Sequence, residues 1–274
     1  MNAGCRLCGG EVREFGAMPI LGRHRGVYDL CGRCGLLQAR DPFWLAESYE
    51  SAITRSDLGT IQRCFQNGTA VRLVAGLRLR LAGPFLDYGA GYGALVRHLR
   101  DLGYDFHGYD RHCANLFAPD WEADLSARRR YQLTTAFEVF EHLAEPGREI
   151  GALWEQSERL LFSTEVMPDP PPPLGDWWYH APHHGQHIAF YGRRTLEYLA
   201  ASRGLRLSTD GRGLHLIGPE AVPGWLLGLA PRRAGRLLAE WVVKPSLLPG
   251  DYQARLARLA APSTAAGSPP PPPS

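Results

Sequence analysis

The sequence predicts an α/β fold: a doubly wound, mainly parallel sheet behind a small cysteine-bearing N-terminal module. Three observations carry this prediction. Short apolar runs alternate with helical patterns over residues 81–220. A loop, Gly89-Ala90-Gly91-Tyr92-Gly93, separates an apolar run from a helical one. Two C-x-x-C pairs fall within residues 1–40. The 274 residues exceed one average domain and fall short of two large ones. The apolar fraction of 45% and charged fraction of 21% are those of a globular protein. A net charge of +2 gives no ground for a nucleic-acid or anionic-membrane partner.

Residues 41–80 read as a helical connection, punctuated at Asp41-Pro42 and Asn67-Gly68. Within the core, residues 84–88 are a strand and 89–93 a turn. Residues 94–102 are a helix stopped by Gly103. Residues 104–110, 131–137 and 160–164 are further strands. Residues 194–203 are a helix closed by Gly204, and 205–208 pairs with 213–217 around Asp210-Gly211. Residues 221–261 form a helical extension, apolar over 225–243. Residues 262–274, rich in Pro, Ser and Ala, are expected to be disordered. The basic runs Arg128-Arg129-Arg130 and Arg193-Arg194 read as solvated surface. No apolar run is long enough to span a bilayer, and Cys5 and Cys8 stand where a signal peptide is apolar. A cytoplasmic location, with reduced cysteines, is expected.

Cys5, Cys8, Cys31 and Cys34 form a C-x2-C-x22-C-x2-C arrangement. Each pair converges two thiolates on one ion, and two pairs complete a closed tetrahedral zinc site. Gly9, Gly10, Gly32 and Gly35 relieve strain around the thiols and free N–H groups for the sulfurs. Four protein ligands leave no open position, so this zinc is expected to be structural or substrate-holding. Cys64 and Cys113 lie outside the pattern and read as unligated.

The glycine loop lies where a tight turn lets a ligand approach backbone N–H groups at a helix start. Gly89, Gly91 and Ala94 also satisfy the dinucleotide fingerprint, so spacing leaves two ligands open. Charge separates them. Asp87, just before the loop, would repel a pyrophosphate and attract the sulfonium and ammonium of S-adenosylmethionine. Asp110 ends the next strand, 21 residues after Gly89, where a carboxylate can accept both ribose hydroxyls.

Residues 85–93, Phe-Leu-Asp-Tyr-Gly-Ala-Gly-Tyr-Gly, with the strand ending at Asp110, resemble motif I and the acidic loop of class I S-adenosylmethionine-dependent methyltransferases. Residues 134–143, Thr-Thr-Ala-Phe-Glu-Val-Phe-Glu-His-Leu, are similar to the fourth-strand signature of that family. The likeness covers residues 81–220. It implies a Rossmann-like seven-stranded mixed sheet and S-adenosylmethionine as cofactor. By the same resemblance Asp87, Gly89 and Gly91 line the methionine part, Ala90 and Gly93 join the cofactor contacts, and Asp110 takes the ribose. Asp124 and Leu125 would lie near the adenine, and Glu138 would join the cofactor contacts. Gln132 departs from the Asp that the family often has there; it lies away from the strand's carboxyl end. The cysteine module ahead of this core is similar to that of sugar C-methyltransferases, whose catalytic Tyr and Glu-His pair are not matched.

Residues 177–187, Trp-Trp-Tyr-His-Ala-Pro-His-His-Gly-Gln-His, follow the 160–164 strand and a proline-rich loop. Imidazoles there can supply a general base near neutral pH, which makes His183, His184 and His187 the candidate catalytic residues. The run His187-Ile188-Ala189-Phe190 resembles a His-Ile-x-Phe turn of related methyltransferases and implies that His187 lines the site. A second cluster, Glu138, Glu141 and His142, resembles the Glu-x-x-Glu-His motif of ubiquinone-pathway O-methyltransferases, which implies a second divalent cation. The competing reading is that Glu141 and His142 cap the following helix.

The expected function is methyl transfer from S-adenosylmethionine to carbon or oxygen of a small molecule, a sugar or natural-product intermediate. The sulfonium is already activated, so the task is chiefly positioning. Competing readings are an RNA methyltransferase that grips nucleic acid through the cysteine module, and an inactive binding protein. No basic surface is evident for the former.

Overall fold

The computed structural model describes residues 4–49, 58–127 and 129–260. The tail at 262–274 and Arg128 lie outside the described residues. No helix among the described residues is long and apolar enough to cross a membrane.

The N-terminal segment holds more than two knuckles. β1 (Val12–Ile20), β2 (His24–Cys31) and β3 (Leu37–Ala39) form an antiparallel sheet. Met18, Ile20 and Tyr28 are buried on one face, in the two-residue period of a half-buried sheet. The short helix α1 (Leu45–Ser48) follows. α2 (Thr60–Val71) continues into a π-helical stretch, Arg72–Arg78. Asn67-Gly68, expected as punctuation, stays helical. A Cβ on Gly68 would lie 2.7 Å from the His98 ring, so the missing side chain lets the next helix pack close.

The main sheet comprises β4 (Phe85–Tyr88), β5 (Phe106–Tyr109), β6 (Leu133–Phe137), β7 (Leu160–Ser163), β9 (Arg206–Thr209) and β10 (Leu214–Gly218). Their order is β5-β4-β6-β7-β10-β9. The first four run parallel; β10 is antiparallel to both neighbours. The sheet therefore has six strands among the described residues where seven were expected. The seventh is reduced to a single parallel bridge between Gly108 and Glu122, outside β5. Gly108 donates to the Trp121 carbonyl and accepts from Ala123 N–H, and no further pairing forms. α3 (Ala94–Asp101), α4 (Pro146–Gln156) and α5 (Arg193–Ala201) connect the strands. Leu95, Val96 and Leu99 of α3 pack with Phe85, Phe106 and Leu133 of the sheet.

β8 (Ala189–Phe190) does not join this sheet. It pairs with β3 and extends the N-terminal sheet to four strands. The expected apolar helix over 225–243 is broken into α6 (Gly224–Leu227) and α7 (Arg233–Glu240). Gly228 follows the first, and Pro231 disfavours helical backbone at the residue before it. α8 (Leu248–Ala260) is fixed by Asp251, which takes two hydrogen bonds from the buried Arg100 guanidinium, at 2.7 and 2.8 Å.

Candidate active site

A cavity of about 500 Å³ opens at the carboxyl ends of β4, β5 and β6. The order reverses there: β5 lies on one side of β4 and β6 on the other, the crevice where doubly wound sheets take ligands. Gly89 and Gly91 form part of its wall, with Tyr109, Asp110, Glu138 and His142. Gly91 has φ +55° and a Cβ there would meet nothing within 4 Å among the described residues, so its backbone stands open to a ligand. Gly93 has φ +82°, and a Cβ there would lie 2.1 Å from Asn115 Oδ1. Gly89 and Ala90 donate to the Tyr109 carbonyl, which ties the loop to the end of β5.

Asp87 is 3% exposed, beneath the loop rather than on the cavity wall. It accepts a hydrogen bond from Thr135 Oγ1 at 2.6 Å. Burial pushes its carboxyl up to about 7, against the pull of that hydrogen bond, and the Asp110 charge adds to the rise. Asp110 lines the cavity. Its Oδ2 accepts from Gly91 N–H at 2.8 Å and its Oδ1 from His112 and Cys113 N–H at 2.7 and 2.9 Å. The carboxylate thus spans the glycine loop and the next turn, and Oδ2 keeps a lone pair for a ligand hydroxyl. Asp124 is exposed and closes its own turn on Ser126, while Leu125 packs against the buried cluster of Leu86, Ala123 and Tyr131. Neither is brought to the cavity wall. Tyr49, Arg111, His112, Gln186 and Leu143 do line it and were missed. The adjacency of Arg111 and His112 to Asp110 was a usable signal; Tyr49 and Gln186 carried none.

Glu138 faces the cavity in a left-handed conformation, φ +54°. Ser163 holds it there, accepting from its N–H and donating to its carboxylate at 2.5 Å. Glu141, His142 and His187 have ligand atoms within 4.8 Å of one another; Glu138 is not in that group. The expected Glu138–Glu141–His142 set is therefore not gathered, because the strained turn sends Glu138 to Ser163. Glu141 is fully buried and neither carboxyl oxygen has a partner within hydrogen-bond geometry. Burial raises it to about 8, aided by the Glu138 charge and opposed by the Tyr179 and Thr164 hydroxyls. His142 Nδ1 lies 3.1 Å from the Gln186 carbonyl, and His187 Nδ1 lies 2.7 Å from the Tyr179 carbonyl. Carbonyls only accept, so each Nδ1 carries the proton and each Nε2 a lone pair. Burial depresses His142 to about 4 and His187 to about 3, so both are neutral near pH 7. His184 Nδ1 accepts from Gln186 N–H, and its ring packs 4.8 Å from that of His187. His183 is exposed.

A family model described as Methyltransferase domain matches residues 63–209, more than half of the chain. The chain belongs to this family. Among solved structures, the methyltransferase is similar to an O-methyltransferase family protein from Burkholderia thailandensis, at 14% identity and a TM-score of 0.44 over 65% of this chain and 63% of that one. It is similar also to the plantazolicin methyltransferase BpumL, solved with S-adenosylhomocysteine, at 12% identity and 0.46, over 65% and 95%. The magnesium protoporphyrin IX methyltransferase of Synechocystis PCC 6803 gives 16% and 0.39, over 65% and 90%. The methyltransferase thus spans less than two thirds of the Burkholderia protein's length. No curated protein matches.

The methyltransferase carries its four N-terminal cysteines as free thiols in one group. Cys5 Sγ lies 3.6 Å from Cys34 Sγ and Cys8 Sγ 3.5 Å from Cys31 Sγ. A tetrahedron with arms of about 2.3 Å has sulfur–sulfur edges of about 3.8 Å, so the four can hold one metal ion with little movement. Gly10 and Cys34 N–H groups point at the sulfurs of Cys8 and Cys31, 3.4 Å in each case. The group docks on the core: Gly147 at the start of α4 donates to the Arg6 carbonyl, and Arg194 of α5 donates to that of Gly32. Cys113 lines the cavity and Cys64 packs in the core, both away from this group.

Proposed function

We propose that this methyltransferase moves the methyl group of S-adenosylmethionine to a carbon or oxygen of a small molecule, a sugar or natural-product intermediate. The observation that supports this most is the pair of carboxylates around the glycine loop. Asp87 is buried beneath it and Asp110 crosses it to the cavity, with no cationic side chain hydrogen-bonded to either among the described residues. Two carboxylates so placed disfavour a pyrophosphate and suit a cationic nucleoside. The residues fit that cofactor: open backbone at Gly91, an acceptor at Asp110, and a buried acid whose ionisation a cation would favour. Asp87, Gly89, Ala90, Gly91 and Gly93 would hold its methionine part and Asp110 its ribose. When bound, the cofactor supplies an activated methyl on sulfur. The chain's own part is to hold donor and acceptor in line and to accept a proton, for which neutral His184 is available, with His187 and His142 available as long as no metal takes their Nε2 lone pairs.

Residues 81–220 form the catalytic unit in this reading, 221–261 a helical extension, and residues 1–40 a module that would hold zinc on Cys5, Cys8, Cys31 and Cys34. Calorimetry tests the central claim. The protein should bind S-adenosylmethionine, and Asp110→Ala, checked for its fold by circular dichroism, should bind at least about tenfold more weakly, since charge-assisted hydrogen bonds each contribute about 1.5–3 kcal/mol. Equal affinity in the two proteins would sink the assignment.

A further inference from the structure

Two features beside the cavity, behind its wall at His142, are left without a role by cofactor binding. One is a fully buried Glu141 whose two oxygens have no partner within hydrogen-bond geometry among the described residues, with only the Tyr179 and Thr164 hydroxyls to pull its carboxyl down. A buried acid in that state is costly, and it commonly marks a missing cation. The other is the pair of imidazoles beside it. His142 and His187 each spend Nδ1–H on a main-chain carbonyl, which fixes the ring and aims an Nε2 lone pair away from that bond. This is how metal-ligating histidines are oriented. His142 Nε2 is 4.0 Å from Glu141 Oε1, and the His142 and His187 rings stand edge to face at 4.9 Å.

We propose that Glu141, His142 and His187 hold a divalent transition-metal ion beside the cavity, behind its wall at His142, with the remaining coordination positions open toward the methyl acceptor. Metal arms of about 2.0–2.2 Å at a tetrahedral angle span donor separations of about 3.3–3.6 Å. The observed separations, none above 4.8 Å, need a contraction of at most about 1.3 Å, which rotations of the three side chains can supply. Two imidazoles and one carboxylate select zinc, cobalt, iron or nickel over magnesium or calcium, which prefer all-oxygen sets. Three ligands leave a position free, unlike the four-cysteine group. Only His142 of the three lines the cavity, so the free position faces it from that side. Its occupant would be an oxygen of the acceptor: a hydroxyl, or one of two adjacent oxygens. Bound there, the hydroxyl releases its proton to solvent at the cavity mouth. The oxygen's electron pair then forms the new C–O bond as the methyl–sulfur bond breaks, leaving its electrons on a neutral thioether. This last step rests on the proposed methyl transfer; metal binding does not.

The test is a metal count on the full chain. The protein is stripped with chelator, reloaded with zinc, desalted and measured by plasma mass spectrometry. The wild type should hold two zinc equivalents, Glu141→Gln and His187→Gln one each, and Glu138→Gln two. Cobalt loading gives a second reading: the second equivalent should add visible bands without thiolate charge transfer. A wild type holding one equivalent overturns the site whether or not the variants fold. A Glu138→Gln protein that loses the second ion while His187→Gln keeps it overturns the ligand set. Calorimetry with S-adenosylmethionine on the same samples separates the two claims. Cofactor binding with a single zinc sinks this site and leaves the methyltransferase reading intact; two zincs without cofactor binding do the reverse.

Discussion

Asp87 sits between two demands. Burial holds its carboxyl at about 7, while the Thr135 hydroxyl pulls it down. Its folded value lies above the ordinary 3.8, so it stabilises the free protein fully below about pH 4, and that contribution fades as pH rises through 7. A cation in the cavity reverses the preference and expels the proton. S-adenosylmethionine binding near pH 6 should therefore release up to about one proton, read as a dependence of calorimetric enthalpy on the buffer's ionisation enthalpy. Asp87→Asn should abolish the release. Binding without proton release at pH 6 in the wild type would show that Asp87 does not meet the cofactor's charge.

At the scale of elements, the loop from β4 to α3 uses its glycines for different ends. Gly93 is enclosed: at φ +82° with Asn115 Oδ1 2.1 Å from a would-be Cβ, Gly93→Ala should lower stability by about 1–3 kcal/mol, visible as a drop in melting temperature. Gly91 is open, and Gly91→Ala should lower stability less and cofactor affinity more. Equal melting temperatures for the two variants would refute the distinction. This loop and its strands were legible because everything that defines them is local: a run of apolar residues, a glycine turn, a helix start and an acid at the next strand's end. The β9–β10 hairpin was legible for the same reason, with Gly211 at φ +79° and Asp210 Oδ1 accepting three backbone N–H groups. β1–β3 were not, because the cysteine spacing dominated the reading of residues whose alternation is interrupted at Gly16 by a bulge. The metal candidates were legible only in part. Glu141 and His142 are neighbours in sequence, whereas His187 reaches them through β8, a two-residue strand whose pairing with β3 no local pattern announces.

Across the whole molecule, the N-terminal segment grips the histidine-rich stretch at four points. Leu21 N–H donates to the Pro182 carbonyl, Trp44 Nε1–H to that of Gly185 and Ala39 N–H to that of Ile188; Gln186 Nε2–H returns the contact to Ser48. The four cysteines and the histidine-rich stretch beside the cavity are thus parts of one structure. Stripping metal from the cysteines should raise hydrogen exchange at residues 182–190 while amides of β4 and β6 stay protected. Unchanged exchange at 182–190 after complete metal removal would break the link. Trp44→Phe, which leaves the buried Gly185 carbonyl unpaired at about 1–3 kcal/mol, should loosen the same residues with the metal in place.

The pairing of β3 with β8 also limits how this protein can be recombined. A module joined to its neighbour by a linker can be cut off, exchanged or duplicated, and each part survives. Here one strand of the module's sheet is contributed by a segment some 150 residues downstream. A chain begun after residue 48 would leave β8 without its ladder and remove these four contacts, leaving the histidine segment to the core's own hydrogen bonds, such as Ile188 N–H to the Glu141 carbonyl. A foreign N-terminal module would have to present a strand edge of matching register to replace it. Evolutionary change of acceptor in such a protein is therefore expected to proceed by substitutions within both segments together, and a chimera-maker should place crossovers after residue 190, so that β3 and β8 come from one parent.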